Sequence, residues 1–411
     1  MRILIITMYI QRDIESKFMS FFEDKEILAV IGPRQAGKTT FIKHILERVE
    51  NKKINSISFD NISIRNMFEE NIEAFIEKEI KGYDIVFIDE IQYSKNSGQK
   101  LKYIYDTIEN VKIIISGSSS VDLSLNSIKY LVGRIIVFEL QTLSFDEFLR
   151  FKDEKLYNIY EKKLFSREVY KEINKYLEEY ILYGGYPRVV LESNESKKIE
   201  ILKNIFNTYL LKEISEILKY KENRIIEKLV TFLAYQIGNV INYNDLSEKV
   251  GVSVYEIKNA LSILEKTFIC SFSSNFSRNK HSELIKSPKI FFNDLGFRNY
   301  VFGNFNNKLI EGNLYENFIA TQLLRKELPL KYWRTKSGAE VDFIIERNQE
   351  LLGIEVKTHL SSNVVGKSMM SFINKYEPNF CYVISKDFKD ERQVNEKTVS
   401  FLPYVELLRE I

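Results

Sequence analysis

Apolar residues follow two rhythms along this chain. Unbroken runs, as from Ile27 to Ile31, in "YDIVFIDEIQ" and in "VKIIISG", read as strands buried on both faces. Between them, apolar residues return every three or four positions, the period of an amphipathic helix. After "LSFDEFLRF" the chain becomes helical and charge-rich, until Gly184, Gly185 and Pro187 of "LYGGYPRVVL" break the pattern as a turn. From Arg224 to Ile269 it reads as helix, short linker, helix, a tight turn at Gly251–Ser253, and helix, with Leu246, Val250, Val252, Ile257, Leu261 and Leu264 spaced to pack two crossed helices. Two strand-like pieces follow, "FICSFSS" and "SPKIFFND", joined by a loop that carries Arg278, Lys280, His281 and Lys286. Farther on, "EGNLYENFIATQLLRKEL" is an amphipathic helix with Leu314, Phe318, Leu323 and Leu324 as its core stripe, and two more strands close the pattern. The opening "MRILIITMYI" is short and lacks a cleavage site, so it reads as an extra strand, or as a leader to a start at Met8, rather than as a signal peptide.

The stretch "EILAVIGPRQAGKTTFIKHIL" sets a strand, a glycine-bounded loop and a helix in succession. It matches GxxxxGK[ST] in the context that the chemistry requires. Gly32 and Gly37 allow the backbone to curl, so that the N–H groups of Arg34, Gln35, Ala36, Gly37, Lys38, Thr39 and Thr40, which follow Pro33 (itself without an N–H), can point at phosphate oxygens. Lys38 is expected to reach the β- and γ-phosphates, Thr39 to ligate Mg²⁺, and the helix to offer its positive N-terminus. In "FIDEIQ", Asp89 ends an apolar strand and would hold the same Mg²⁺, while Glu90 would polarise the water that attacks the γ-phosphate. A third strand ends in Ser116-Gly-Ser118, polar groups placed to sense that phosphate. ATP and Mg²⁺ are therefore the expected ligands.

Near the other end, "GAEVDFIIERNQELLGIEVK" puts ionisable residues on two apolar strands. Alternation sends Glu355 and Lys357 to one side of their strand. If the two strands form a hairpin turning at "ERNQE", Asp342 and Glu355 become cross-strand neighbours. Two adjacent carboxylates repel, a cost that a divalent cation would remove. The same residues can also be read as a charged hairpin in which Lys357 neutralises one acid.

Composition narrows the picture only a little. The 411 residues exceed one ordinary core, so two to four domains are expected. A net charge of +2 does not mark a nucleic-acid binder, although a local basic face is compatible with it. Cys270 and Cys381 stand far apart, and His44, His281 and His359 are scattered, which excludes a zinc pattern and a disulfide framework and suits a reducing, cytoplasmic setting. No apolar run is long enough to cross a bilayer.

Taken together, "GPRQAGKTT", "FIDEIQ", "SGSSS", "LVGRIIVFELQTLSFDEF" and "GGYP" resemble a prokaryotic family that joins an AAA-type ATPase core to a C-terminal nuclease-like domain. The resemblance implies an α/β fold in four parts: a P-loop AAA-type ATPase domain over 1–150, a helical lid over 151–222, a winged helix over 223–292 and a PD-(D/E)xK-like domain over 293–411. It gives Ser118 a sensor role. It sets Arg134 where an arginine finger would act on a neighbouring subunit, which would make the active form an oligomer; read by itself, Arg134 is equally a surface ion-pair partner. Glu316, Asp342, Glu355 and Lys357 match the acids and lysine of the nuclease superfamily, although no proline precedes Asp342. The expected function is an ATPase whose nucleotide state controls a nuclease-like domain that acts on or binds nucleic acid, DNA being the expected partner. The alternative is a nucleotide-dependent switch with an inactive C-terminal binding module.

Overall fold

In a computed structural model, described for residues 9–118, 130–218 and 223–411, the chain forms two compact units. One comprises the residues up to Leu143 together with Tyr186–Leu191 and Ser262–Ile269; the other comprises Ser144–Gly185, Glu192–Leu261 and Cys270–Ile411. One break between the units, at Leu143–Ser144, lies close to the expected boundary at 150, and residue 292 lies within the second unit. The strand expected at the chain's start lies, with Met8, mostly outside the described residues, as do Ser119 and Ser120.

The first unit is built on five parallel strands: β1 (Ile27–Ile31), β2 (Ile54–Ser58), β3 (Ile85–Asp89), β4 (Lys112–Gly117) and β5 (Ile135–Glu139), in the order β2-β3-β4-β1-β5. Their unbroken apolar runs have a direct cause, since both faces are covered. Ile27, Ala29, Ile31, Val86, Ile88, Ile113 and Ile115 pack on one side, whereas Leu28, Val30, Ile85, Phe87 and Ile114 pack on the other. Because β4 lies between β1 and β3, the loops that leave these three strands emerge side by side at the carboxyl edge of the sheet, where ligands of open α/β sheets bind.

The second unit carries an eight-stranded sheet. Its strands are β6 (Cys270–Asn275), β7 (Lys289–Phe292), β8 (Leu330–Arg334), β9 (Glu340–Arg347), β10 (Glu350–Val356), β11 (Phe380–Ser385), β12 (Asp390–Val394) and β13 (Lys397–Pro403), ordered β12-β13-β11-β10-β9-β8-β6-β7. Trp333, Val341, Ile344, Met369, Phe372, Val383 and Phe401 form its core. The two strands expected to be the wing of a winged helix, β6 and β7, pair with each other, and β6 also pairs in parallel with β8. They therefore belong to the same sheet as the carboxylate hairpin. The connection between them contains a short helix, Lys280–Ile285, in place of the expected loop.

Upstream, the helices Tyr243–Val250 and Val254–Lys266 meet at Gly251, whose φ of 84° fits the expected tight turn. Glu256, on the second of these helices, accepts the Ser253 N–H at 2.9 Å, while Ser253 Oγ accepts the Glu256 N–H at 3.2 Å. This reciprocal cap consumes the carboxylate.

Candidate functional site

The phosphate-loop residues gather at the carboxyl ends of β1, β3 and β4. Gly32 leaves β1 against the end of β5, and a Cβ there would fall 2.0 Å from the Leu140 carbonyl oxygen, so only glycine fits. Gln35 and Gly37 take positive φ values of 63° and 92°, which turns the loop into the helix Lys38–Leu46. Arg12, unremarked in the sequence, is buried and braces the loop: its guanidinium donates to the carbonyls of Ala36 (3.0 Å) and Gln141 (2.6 Å). Pro187 of the "GGYP" turn also borders the loop, 3.7 Å from where a Cβ on Gly37 would stand.

Lys38 is 6 % exposed, and its ammonium donates to the carbonyls of Gly32 (3.0 Å) and Pro33 (2.9 Å). Burial pushes its pKa down to about 8, with Glu90 and Asp89 opposing the shift. An ammonium held only by backbone oxygens in this way is prepared to accept phosphate charge. Thr39 Oγ1 donates to Asp89 Oδ2 at 2.8 Å, Ser116 Oγ donates to Asp89 Oδ1, and the Glu90 N–H also reaches Oδ1, at 3.1 Å. The paired hydroxyl and carboxylate are hard oxygen donors of the kind Mg²⁺ takes, so these residues fit that ion.

Glu90 follows the strand in a left-handed conformation, with φ 56° and ψ 43°. Its carboxyl pKa is raised, first by burial and further by Asp89, while a hydrogen bond from Gln92 opposes the rise. Gln92 donates to Glu90 Oε2 and, at 3.0 Å, to Ser118 Oγ; its own carbonyl oxygen accepts the Ser118 N–H at 3.3 Å. Gln92 thus joins the acid to the sensor-position serine. Sequence reading quoted this residue within "FIDEIQ" but gave it no role; its place two positions after the acid was the available signal.

Arg134 is not part of this site. It precedes β5, at the opposite edge of the sheet, where its carbonyl accepts the Ile27 N–H. Its guanidinium pairs with Asp106 at 2.8 Å; a finger acting on a neighbouring subunit's nucleotide would likewise lie outside this chain's own site. A cavity of about 550 Å³ at that same edge, bordered by Asp24, Asp84, Tyr105 and Lys112, holds none of the motif residues.

In the second unit the expected hairpin is present, turning through Asn348 and Gln349, both at positive φ (52° and 67°). Its register runs through Ile354 opposite Phe343 and so sets Glu355 opposite Asp342. Glu316, Asp342 and a further acid, Glu340, do converge, but on a lysine. Lys289, at the start of β7 and 1 % exposed, places Nζ 2.9 Å from Glu316 Oε1, 2.5 Å from Glu340 Oε1 and 3.7 Å from Asp342 Oδ1. Asp342 Oδ2 accepts the Val356 N–H at 2.8 Å. Glu355 is paired separately with Lys357, at 2.6 Å. Burial and Asp342 push the Glu316 pKa up to about 8, against the pull of Lys289. Among the described residues, no three His, Cys, Asp or Glu side chains come together as a metal site. The Lys289 ammonium occupies the space among Glu316, Glu340 and Asp342, so a metal does not fit there beside it; Glu355 is not among its partners, and Glu355 Oε2 is buried without a hydrogen-bond partner. Sequence reading missed Lys289 and Glu340; a lysine opening the apolar "KIFF" strand and an acid two residues before Asp342 were the signals.

Three of the four basic residues named between β6 and β7 have partners within the unit. Arg278 donates to the Tyr376 carbonyl at 3.3 Å, Lys286 to that of Arg334 at 3.3 Å, and Lys280 pairs with Glu283 at 3.5 Å. Among the described residues, no helix is long and apolar enough to cross a membrane.

Three family models match successive parts of the chain: an AAA domain at 24–149 and two domains of unknown function, DUF8612 at 174–308 and DUF4143 at 311–407. An uncharacterized protein of Haemophilus influenzae is 27% identical over 361 residues, covering 83% of this chain and 85% of its own. An uncharacterized protein of Methanocaldococcus jannaschii is 29% identical over 356 residues, covering 84% and 77%. Among solved structures, the Walker-type ATPase PABY2304 of Pyrococcus abyssi aligns at TM-score 0.45 and 15% identity, over 71% of this chain and 96% of that one. The ORC1 protein of Aeropyrum pernix, solved in complex with DNA, aligns at TM-score 0.34 and 12% identity, over 74% and 95%. The matched AAA model and the parallel sheet with its phosphate loop agree: residues 24–149 carry an AAA-type P-loop ATPase domain, a fold that binds and hydrolyses ATP.

Proposed function

We propose that the protein is a Mg²⁺-dependent ATPase whose nucleotide state switches a nuclease-like, nucleic-acid-binding module in the second unit. The observation that carries the first part is the hydrogen-bonded set Thr39, Asp89, Ser116, Glu90, Gln92 and Ser118 at one sheet edge, with the Lys38 ammonium in the field of Glu90 and Asp89. Lys38 leaves the carbonyls of Gly32 and Pro33 to bond the β- and γ-phosphates, and the backbone from Pro33 to Thr40 cradles the remaining oxygens. Mg²⁺, bound with the nucleotide through Thr39 and Asp89, supplies charge neutralisation at the phosphates. Glu90, with its raised pKa, orients the attacking water and accepts its proton. Ser118 reports the γ-phosphate to Glu90 through Gln92. Arg134, tied to Asp106, has no part in this reading.

For the second unit, the binding-module version is favoured over cleavage. One oxygen of Asp342 and one of Glu355 each lie beside a lysine of the same unit, which supports a scaffold that keeps the acids without using them to hold a metal, although Glu355 Oε2 is buried without a partner.

The test is ATP turnover together with binding and cleavage of labelled single- and double-stranded DNA, in Mg²⁺ or Mn²⁺, by the full chain. Lys38→Ala should lose nucleotide binding, and Glu90→Gln should keep binding while turnover falls about 10²- to 10³-fold. DNA should bind with a steep salt dependence and remain uncut. Full turnover by Glu90→Gln would remove the catalytic assignment. Cleavage that disappears in Glu355→Gln would overturn the binding-module reading.

A further inference from the structure

We propose that Lys289 is the resident cation of the Glu316–Glu340–Asp342 cluster, so that the nuclease-like unit takes no divalent ion there. The inference deepens the binding-module reading and rests on it only for the naming of the unit.

Three features fix the lysine in place. Its backbone begins β7, which pairs with β6, and it bridges Val240 on its other side, so its position is set by the sheet rather than by a free side chain. Its stem is buried, and the Tyr332 ring stands 5.6 Å from the ammonium. Gly238 makes room for the cluster from behind, since a Cβ there would lie 2.9 Å from Glu316 Oε2.

The acids are also held from outside. Arg334 Nε lies 3.4 Å from Glu340 Oε2, the Val356 N–H holds Asp342 Oδ2, and Lys357 holds Glu355. A divalent ion would need carboxylate oxygens at about 2.1 Å for Mg²⁺, in the directions that Nζ now fills. It would also sit a few ångströms from a buried positive charge, in a medium that screens poorly. The lysine therefore does for this cluster what a metal does in a two-acid phosphodiesterase site, but without a Lewis acid and without an exchangeable coordination position.

The prediction is counted in metal ions. Mn²⁺ binding to nucleotide-free full chain is followed by paramagnetic resonance, which reads stoichiometry and not DNA chemistry, so this inference and the module reading can fail separately. Wild type and Asp342→Asn, whose amide oxygen can still accept the Val356 N–H, should bind the same number of ions. Lys289→Met should gain one Mn²⁺, lose it again when Asp342→Asn is added, and melt about 10 °C lower than wild type until Mn²⁺ is supplied. Loss of one ion on Asp342→Asn in the wild-type background would overturn the proposal, as would a folded Lys289→Met that gains none. If Lys289→Met does not fold, the comparison of wild type with Asp342→Asn decides by itself.

Discussion

Gln92 is the residue whose contribution is most readily measured. It touches both Glu90 and Ser118, and neither contact involves the loop that grips the phosphates. Gln92→Ala should therefore lower kcat about tenfold, the equivalent of one or two hydrogen bonds, and leave the nucleotide Kd within about twofold. An unchanged kcat would take Gln92 out of the reaction. At this scale, most of the nucleotide site was legible, because a phosphate loop constrains residue types at fixed spacing. Lys38 and Thr39 were readable for that reason, Asp89 and Glu90 as an acidic pair ending an apolar strand, and Ser118 from the family resemblance. Gln92, Arg12 and Lys289 were not, since each acts on partners distant in sequence: Arg12 meets Gln141, and Lys289 meets residues on another helix and another strand.

Elements were legible where a local rule sets them. Asn348 and Gln349 turn the carboxylate hairpin because a two-residue connection favours positive φ at both positions. Ser253 and Glu256 cap a helix on the S-x-x-E pattern. The segment between β6 and β7 escaped reading because the short helix Lys280–Ile285 carries too few residues to show a period. One element depends on a side chain that starts another. The Lys112 ammonium, at the first position of β4, donates to the carbonyls of Phe21 (2.9 Å), Asp24 (2.6 Å) and Glu26 (2.9 Å), and so closes the turn that leads into β1. Lys112→Met keeps much of the stem and leaves those oxygens without their donor. It should destabilise the protein by about 2 kcal/mol in chemical denaturation, and a shift below about 0.5 kcal/mol would show that water replaces the ammonium there.

At the scale of the molecule, the departure from expectation is the sheet that passes through residue 292. Winged-helix and nuclease-like parts looked separable because each had its own apolar pattern, and strand partnership is invisible to pattern alone. With β6 hydrogen-bonded to β8, a fragment of residues 293–411 would present β8 as a bare edge and would leave Glu316, Glu340 and Asp342 without Lys289. That fragment should be insoluble or unfolded by circular dichroism and amide dispersion. A well-dispersed, cooperatively melting fragment would show that β6 and β7 are dispensable to this sheet.

The buried lysine also has a bearing on how relatives could be sorted. If Lys289 stands in for a metal among these acids, as proposed, the residue at its position and the need for a divalent ion are expected to vary together among relatives. A relative that keeps all three acids but carries an uncharged side chain at that position would be left with an open ring of carboxylates. In such a relative, chelation should unfold the domain, and cleavage chemistry would be worth seeking there first.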